Sequence, residues 1–388
     1  MIRETIEPRR GWRTTVEAEG LIWHTADGRP YWNEAACYRF TPAQVATIEA
    51  ATAELYRLFL VAGDAIVGDR AMLRRFGIPE AFHGPIADAW NAEPPALDYG
   101  RFDLGYDGQG APKLFEFNCD TPTSLLEAAV IQWTWKEERF PHADQFNSIH
   151  DRLVARWSAL RGDLPATVHF AHVADDEDAV TNAYLRDTAQ RAGLATVPIL
   201  IDDLGWDGDA RCFVDTGDRR IAALFKLYPW EWLANEAFAP QLLDSLAHGE
   251  TRWLEPVWKM IWSNKGILPV LDDLFPGHPN LLAAAWSPPA DADAVAKPLL
   301  AREGANVSLR RAGTIVAETG GDYGDEGYVF QELYPLPQPA PGIFPVIGSW
   351  VVGGEPAGMG IREDGLITRN GARFVPHVIV PAVRGDSL

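Results

Sequence analysis

Two short runs constrain this chain more than any other stretch. Arg101-Phe102-Asp103-Leu104-Gly105-Tyr106-Asp107 and Lys113-Leu114-Phe115-Glu116-Phe117-Asn118 alternate polar and apolar residues, and Gly108 to Pro112 joins them. Side chains on a strand point to opposite faces in turn, so the pattern predicts a β-hairpin with one apolar face. Arg101, Asp103, Gly105, Glu116 and Asn118 fall on one face. Phe102, Leu104, Tyr106, Phe115 and Phe117 fall on the other. Pairing Tyr106 with Lys113 sets Asp103 opposite Glu116 and Arg101 opposite Asn118. Opposed side chains stand about 4.5–5.5 Å apart at Cβ, and like charges there are destabilising. Spacing alone leaves two readings. The polar face is the solvated side of an ordinary antiparallel pair. Alternatively a hard cation such as Mg2+ bridges the carboxylates, with Arg101 beside it to hold a phosphate or a developing negative charge.

Asn118 runs into Cys119-Asp120-Thr121-Pro122. Asp120 or Thr121 is a natural N-cap with Pro122 just inside, ahead of a helix over 125–133. A helix start there suits an anionic group, although plain capping accounts for the same residues. Lys265 and Lys297 each sit in an apolar stretch, Trp262-Ser263-Asn264-Lys265 and Val295-Ala296-Lys297-Pro298. A buried ammonium needs a partner such as phosphate; otherwise it snorkels to water. The turn Arg302-Glu303-Gly304-Ala305-Asn306 follows, and backbone N–H groups of such a turn can close over phosphates. Tyr328 to Leu333 reads as a strand whose end can meet a purine edge.

Elsewhere, Thr41-Pro42-Ala43-Gln44 is a capping box, and Val45, Ile48, Leu55, Leu58, Phe59 and Ala62 recur at helical spacing, which predicts a core helix over 42–66. Residues 67–100 are broken by Gly and Pro into short helices and loops. Residues 166–203 form a βαβ pattern: strand 167–173, helix 176–192 ended by Gly193, strand 195–201. It lacks a GxGxxG turn, so it is no dinucleotide site. Cys212 to Val214 and Arg220 to Leu227 read as a hairpin.

With 388 residues, 47% hydrophobic and 23% charged, the chain suits two or three globular domains rather than disorder. Its 34 Lys and Arg against 54 Asp and Glu give a net charge of −20. Without a basic patch, that balance argues against nucleic acid and suits an amine or a metal–nucleotide complex. Three scattered cysteines give neither a disulfide framework nor a zinc ribbon. No signal sequence and no run of 18 apolar residues is visible, so no membrane is involved and a cytoplasmic location is expected.

The ordered set RFD, LFEFNCDTPT, EPVWKMIWSNKGILPVL, KPLLAREGAN, YVFQEL and GSWVVGGEPAGMGIRED resembles the synthetase domain of glutathionylspermidine synthase and its shorter acid–amine ligase relatives, over about residues 10–380. The resemblance implies an α/β (α+β) fold, ATP-grasp-like in circularly permuted order because the metal carboxylates precede the lysines. It implies an N-terminal region at 1–165 carrying the metal hairpin, a Rossmann-like substrate-side domain at 166–250, and a nucleotide-binding region at 251–388. It implies an ATP-dependent ligase that joins a carboxylate to an amine through an acyl phosphate, with two Mg2+ ions. Asp103, Glu116 and Asn118 would hold metal. Arg101 would stabilise the transition state and, with Phe102 and Asp103, contact ATP. Lys265 and Lys297 would meet its phosphates, and Glu303 and Gly304 would form the phosphate loop. Gln331, Glu332, Leu333 and Tyr334 would line the adenine pocket, with Leu366, Ile367 and Thr368 nearby. Arg362 would approach the acyl phosphate.

By the same resemblance the partners are a small peptide-like carboxylic acid and a polyamine-like amine. Two departures stand out. The chain begins directly with the synthetase portion, so amide hydrolysis is not expected. Thr121 replaces a glutathione-contacting serine, which adds a methyl and counts against glutathione itself. Two competing classes remain: a nucleotide- or amine-binding protein without turnover, and a kinase-like carboxylate phosphotransferase.

Overall fold

A computed structural model describes residues 1–26, 28–289 and 292–381; the last seven positions of the expected 251–388 region lie outside the described residues. The fold is mixed α/β, with both parallel and antiparallel sheets. Strands Gly100–Gly105 and Lys113–Asn118 form one edge of a five-stranded antiparallel sheet, next to Phe344–Val352, Glu355–Asp364 and Arg373–Val375. Segments more than 200 residues apart thus share one sheet. A second five-stranded antiparallel sheet runs Ala284–Ala285, Tyr328–Glu332, Ala294–Pro298, Ser308–Arg311, Thr314–Glu318.

The hairpin's apolar face is core. Phe102 stacks on Phe117 at 3.8 Å between centroids, and Phe59 of helix Pro42–Val67 packs edge-on against both. Burying side chains of this size stabilises by roughly 1.5–3 kcal/mol each. That helix starts at a true capping box, with Thr41 accepting from Gln44 N and Gln44 accepting from Thr41 N.

The hairpin register differs from the expected one in an informative way. Asp103 pairs with Glu116 and Arg101 with Asn118, but Gly105, not Tyr106, pairs with Lys113. A bulge between Asp103 and Leu104 inserts Phe115 as the extra residue. Bulges re-aim side chains. Here Leu114 and Phe117 stay buried while Phe115 leaves the apolar face and lines a cavity.

Residues 167–254 build a four-stranded parallel sheet ordered Arg252–Leu254, Ala223–Leu227, Thr167–His172, Ala195–Leu200, with helix Asp176–Arg191 between the first two strands in sequence. The expected hairpin at 212–227 is formed only next to its turn, where Val214 bridges Arg220 antiparallel and Ile221 N donates to Phe213 O. Cys212–Val214 pairs with Gly205–Asp207, and Ala223–Leu227 joins the parallel sheet instead. A fully buried apolar strand is worth more between two parallel neighbours than on a two-stranded ribbon. The sheet also takes a strand from beyond residue 250. Its order reverses between Thr167–His172 and Ala223–Leu227, the kind of switch point where crevices open at strand carboxyl ends.

The helix after the hairpin starts at Leu125, not at Thr121, and passes through a π-helical turn at Glu127–Ile131. Asp120 and Thr121 are therefore not caps. Among the described residues, no helix is long and apolar enough to cross a membrane.

Candidate active site

Between the two antiparallel sheets lies a cavity whose walls include Arg101, Asp103, Glu116, Asn118, Thr121, Lys265, Lys297, Glu303, Gly304 and Arg362. Gln331, Glu332, Leu333, Tyr334, Leu366, Ile367 and Thr368 line it too. Phe102 is the exception among the expected residues. Strand alternation turns its ring into the core against Phe117, and it does not line the cavity.

Ion pairs organise the polar face. Arg101 donates to Asp103 through Nε (2.7 Å) and Nη2 (3.2 Å), and through Nη1 to Thr123 O. Arg362 Nη2 reaches the same carboxylate at 2.5 Å, while its Nε is buried and has no partner among the described residues. Lys265 pairs with Glu116 at 3.0 Å and donates to Ala301 O. Lys297 donates to Gln331 Oε1 (2.6 Å) and Phe115 O (2.9 Å). The lysines thus converge although 32 positions separate them in sequence. Burial alone would raise the Glu116 carboxyl, but Lys265 and Lys297 more than reverse this and hold it far below the usual carboxylate range. Desolvation, with Lys265 adding repulsion, lowers Lys297 to about 8 despite Glu116.

Asp103, Glu116 and Asn118 form a donor set of two carboxylates and one amide. Asn118 Nδ2 lies 3.4 Å from Asp103 and 3.3 Å from Glu116, so turning the amide over presents its oxygen to the same place. Among the described residues there is no cluster of three or more His, Cys, Asp and Glu able to hold a metal. Two carboxylates with an amide nevertheless fit Mg2+, which takes few protein oxygens and completes its shell with phosphate and water. The buried Nε of Arg362 fits a phosphate as well.

The turn after Lys297 is built for close approach. Glu303 and Gly304 are both left-handed, at φ 55° and 68°. A Cβ on Gly304 would stand 2.4 Å from Thr368 O, so only glycine fits. Thr319 Oγ1 donates to Gly304 O and secures the turn.

Sequence placed Arg302 only in the turn and Asp120 only as a cap, and it did not single out Glu231, Lys226 or Glu127. Arg302 donates through Nη1 to Thr121 Oγ1 (2.8 Å) and through Nη2 to Glu231 (2.6 Å). Asp120 accepts from buried Lys226 and from Trp230 N. An acidic rim adjoins this knot. Buried Glu127 accepts from Tyr31 and Trp23. Burial first, then Glu127 and Asp178, lift Glu177 to about 8, and burial with Asp175 lifts Asp178 to about 6. The one sequence signal for the rim is the run Asp175-Asp176-Glu177-Asp178, which a helix N-terminus also explains.

Comparison with known proteins gives a consistent result. The family described as glutathionylspermidine synthase preATP-grasp matches residues 3–380. A protein from Haemophilus influenzae, provisionally named an acid–amine ligase, is 41% identical over 374 residues, covering 92% of this chain and 93% of that one. Trypanothione synthetase of Crithidia fasciculata is 29% identical, covering 80% of this chain and 51% of its own. The bifunctional glutathionylspermidine synthetase/amidase of Escherichia coli is 26% identical, covering 88% and 59%. The chain spans nearly all of the first relative and little more than half of the other two.

Proposed function

The chain belongs to the glutathionylspermidine synthase preATP-grasp family and is a carbon–nitrogen ligase, and from that premise we propose that it activates a small carboxylic acid with ATP as an acyl phosphate and transfers the acyl group to an amine. The observation that carries this is the convergence of Arg101, Arg362, Lys265 and Lys297 on the Asp103–Glu116 face. Together with the turn at Arg302–Gly304, this is a phosphate-binding arrangement inside a chain of net charge −20. The two antiparallel sheets enclose the nucleotide in an ATP-grasp-like manner, permuted because the hairpin precedes the lysines. In this reading residues 1–165 and the described residues from 255 to 381 make that core, and 166–254, which includes strand Arg252–Leu254, is a Rossmann-like substrate-side domain.

A carboxylate is a poor acylating agent because it is an anion with a poor leaving group. Phosphorylating it concentrates negative charge, which the two arginines and two lysines offset where it develops. Mg2+, two ions in this reading, would be held by Asp103, Glu116 and Asn118 and would neutralise phosphate charge. Arg101 keeps its proton under all conditions and presents a rigid fork to the transferring group. Arg362 approaches from Glu355–Asp364, two strands away in the same sheet, and Gln331 to Tyr334 with Leu366 to Thr368 receive the base. The acid enters by Thr121.

The amine, small and polyamine-like, arrives as an ammonium, which the acidic rim attracts, Asp178 first because it is ionised at neutral pH. It must lose a proton before it attacks. Asp178, at about 6, is ionised near neutral pH and is the group of this rim matched to accept that proton, whereas Glu177, at about 8, already holds its own.

Trapping tests the reading. Hydroxylamine added with Mg-ATP and an accepted acid should yield a hydroxamate together with ADP. ATP hydrolysis that never gives a hydroxamate with any acid would overturn the ligase in favour of a kinase-like phosphotransferase.

A further inference from the structure

Arg101 is held at three points, and one of them lies outside its sheet. Its stem crosses Gly348 of the adjacent strand Phe344–Val352, where a Cβ would stand 2.5 Å from Arg101 Cδ. Its Nε and Nη2 grip Asp103. Its Nη1 donates to Thr123 O, in the loop between the hairpin and the helix that starts at Leu125. One N–H on Nη1 and one on Nη2 are left without a partner among the described residues, and these are the ones the cavity can use. The guanidinium is a rigid plane, so a shift at Nη1 turns the whole fork.

The loop carries an unusual residue at that place. Ser124 O accepts from Ala128 N, so Ser124 stands at the N-cap of the helix, where extended backbone is the norm. It is instead left-handed, at φ 65°. A residue with a Cβ is disfavoured there, and such an outlier persists only where its surroundings hold it. The contact made by its side chain is to a buried hydroxyl: Ser124 Oγ lies 3.4 Å from Tyr31 Oη. Tyr31 donates its own proton to Glu127 at 2.7 Å, so its oxygen is left to accept from Ser124. Glu127 sits in the π-helical turn Glu127–Ile131 and takes a second bond from Trp23 Nε1 at 3.3 Å. The backbone of Tyr31 is tied to the sheet that carries Arg101, because Phe374 N donates to Tyr31 O at 2.7 Å. A post fixed on the sheet thus sets the loop that sets Arg101.

Resting on the ligase reading above, we propose that Tyr31 is a positioning residue for Arg101. Its hydroxyl, oriented by Glu127, holds Ser124 left-handed. That conformation aims Thr123 O at Arg101 Nη1 and fixes the guanidinium toward the transferring phosphoryl group. Neither Tyr31 nor Glu127 lines the cavity, so both act through the loop.

Steady-state kinetics of the full chain with Mg-ATP and an accepted acid, read as hydroxamate in the presence of hydroxylamine, test the proposal. Tyr31→Phe removes the hydroxyl and keeps the ring. Its kcat should fall about tenfold, inside the roughly hundredfold that a misplacement of about 1 Å can cost. KM for ATP should stay within about twofold, and the melting temperature near the parent's. Ser124→Ala keeps the Cβ without the hydroxyl and should match that loss. Ser124→Gly accepts left-handed backbone freely and should lie within about threefold of the parent. In an Arg101→Ala background, Tyr31→Phe should cost less than about twofold, since residues that act as a unit are not additive. The proposal is overturned if Tyr31→Phe leaves kcat within twofold of the parent, if its full loss persists without Arg101, or if Ser124→Gly is as poor as Ser124→Ala. The ligase reading is scored apart. Should no acid yield a hydroxamate, the same variants are compared by ATP hydrolysis, on which Arg101 acts in either reading. A loss confined to chains that retain Arg101 then keeps the positioning role and sinks the ligase.

Discussion

The carboxylate hairpin and the knot around Arg302 adjoin the same cavity but are assembled in opposite ways. The hairpin draws Arg101, Asp103, Glu116 and Asn118 from eighteen consecutive residues, and strand alternation alone sets them on one face. The knot draws Asp120 and Thr121 from the loop after the hairpin, Lys226 from the parallel sheet, Glu231 from the next helix and Arg302 from the phosphate turn. The hairpin's charges meet the cavity and are free to exchange partners. The knot includes a buried pair, Lys226 with Asp120, in which both side chains are essentially inaccessible. The contrast suggests a division of labour: one region presents charge to the cavity, and the other holds the turn at Arg302–Gly304 in place.

Four substitutions sharpen or break that contrast. The largest effect should come from the hairpin. Glu116→Ala should lower ATP turnover roughly a thousandfold or more, the upper end for loss of one preorganised group, while the melting temperature stays near the parent's. A variant that keeps measurable turnover but unfolds early would make Glu116 a structural residue.

Asp120→Ala comes next and should show the reverse signature. Breaking a buried pair leaves Lys226 as an uncompensated charge, which costs about 3–5 kcal/mol of stability, measurable by urea unfolding. A loss below about 1 kcal/mol would show that the knot is not a fastening.

Arg101→Ala lies between the two, because Arg101 is both buried and on the reacting face. Arg362 still neutralises Asp103 when Arg101 is gone. Mg-ATP affinity and melting temperature should therefore change little, while turnover falls at least about a hundredfold. A large loss of stability with proportionate loss of activity would move Arg101 to the fastening side.

The smallest effect concerns pH. Glu177 titrates near 8 in the folded chain, above its ordinary 4.5, chiefly because burial disfavours its charge. Between those values the folded state holds a proton that the unfolded chain has released, so stability falls as pH rises through this window. Glu177→Gln should flatten the decline in melting temperature between pH 5 and 8. Parallel curves for variant and parent would place the strained carboxyl elsewhere.

Much of this site was legible because its determinants are local. A period of two in Arg101 to Asn118 settles which side chains share a face. A capping box and apolar spacing settle where the helix at Pro42–Val67 begins, packs and lies. The βαβ pattern at 167–200 follows from periodicity and a glycine stop. What sequence misjudged depended on partners far along the chain. Cys212–Val214 and Arg220–Leu227 look like the two arms of one hairpin, yet they pair only beside the turn, and Ala223–Leu227 goes on into the parallel sheet. Phe115 reads as core and faces the cavity, because a one-residue bulge is invisible to alternation.

Sequence by itself determined which side chains share the polar face of the hairpin and the family to which the chain belongs, since both rest on residues in fixed order. Only the tertiary structure decided that Lys265 and Lys297 meet at Glu116, that Arg302 bridges Thr121 and Glu231, and that Tyr31 stands between Ser124 and Glu127. Such contacts are set by how sheets and loops pack across long sequence separations. An ion pair or a buried hydroxyl leaves no periodic trace in the chain that forms it.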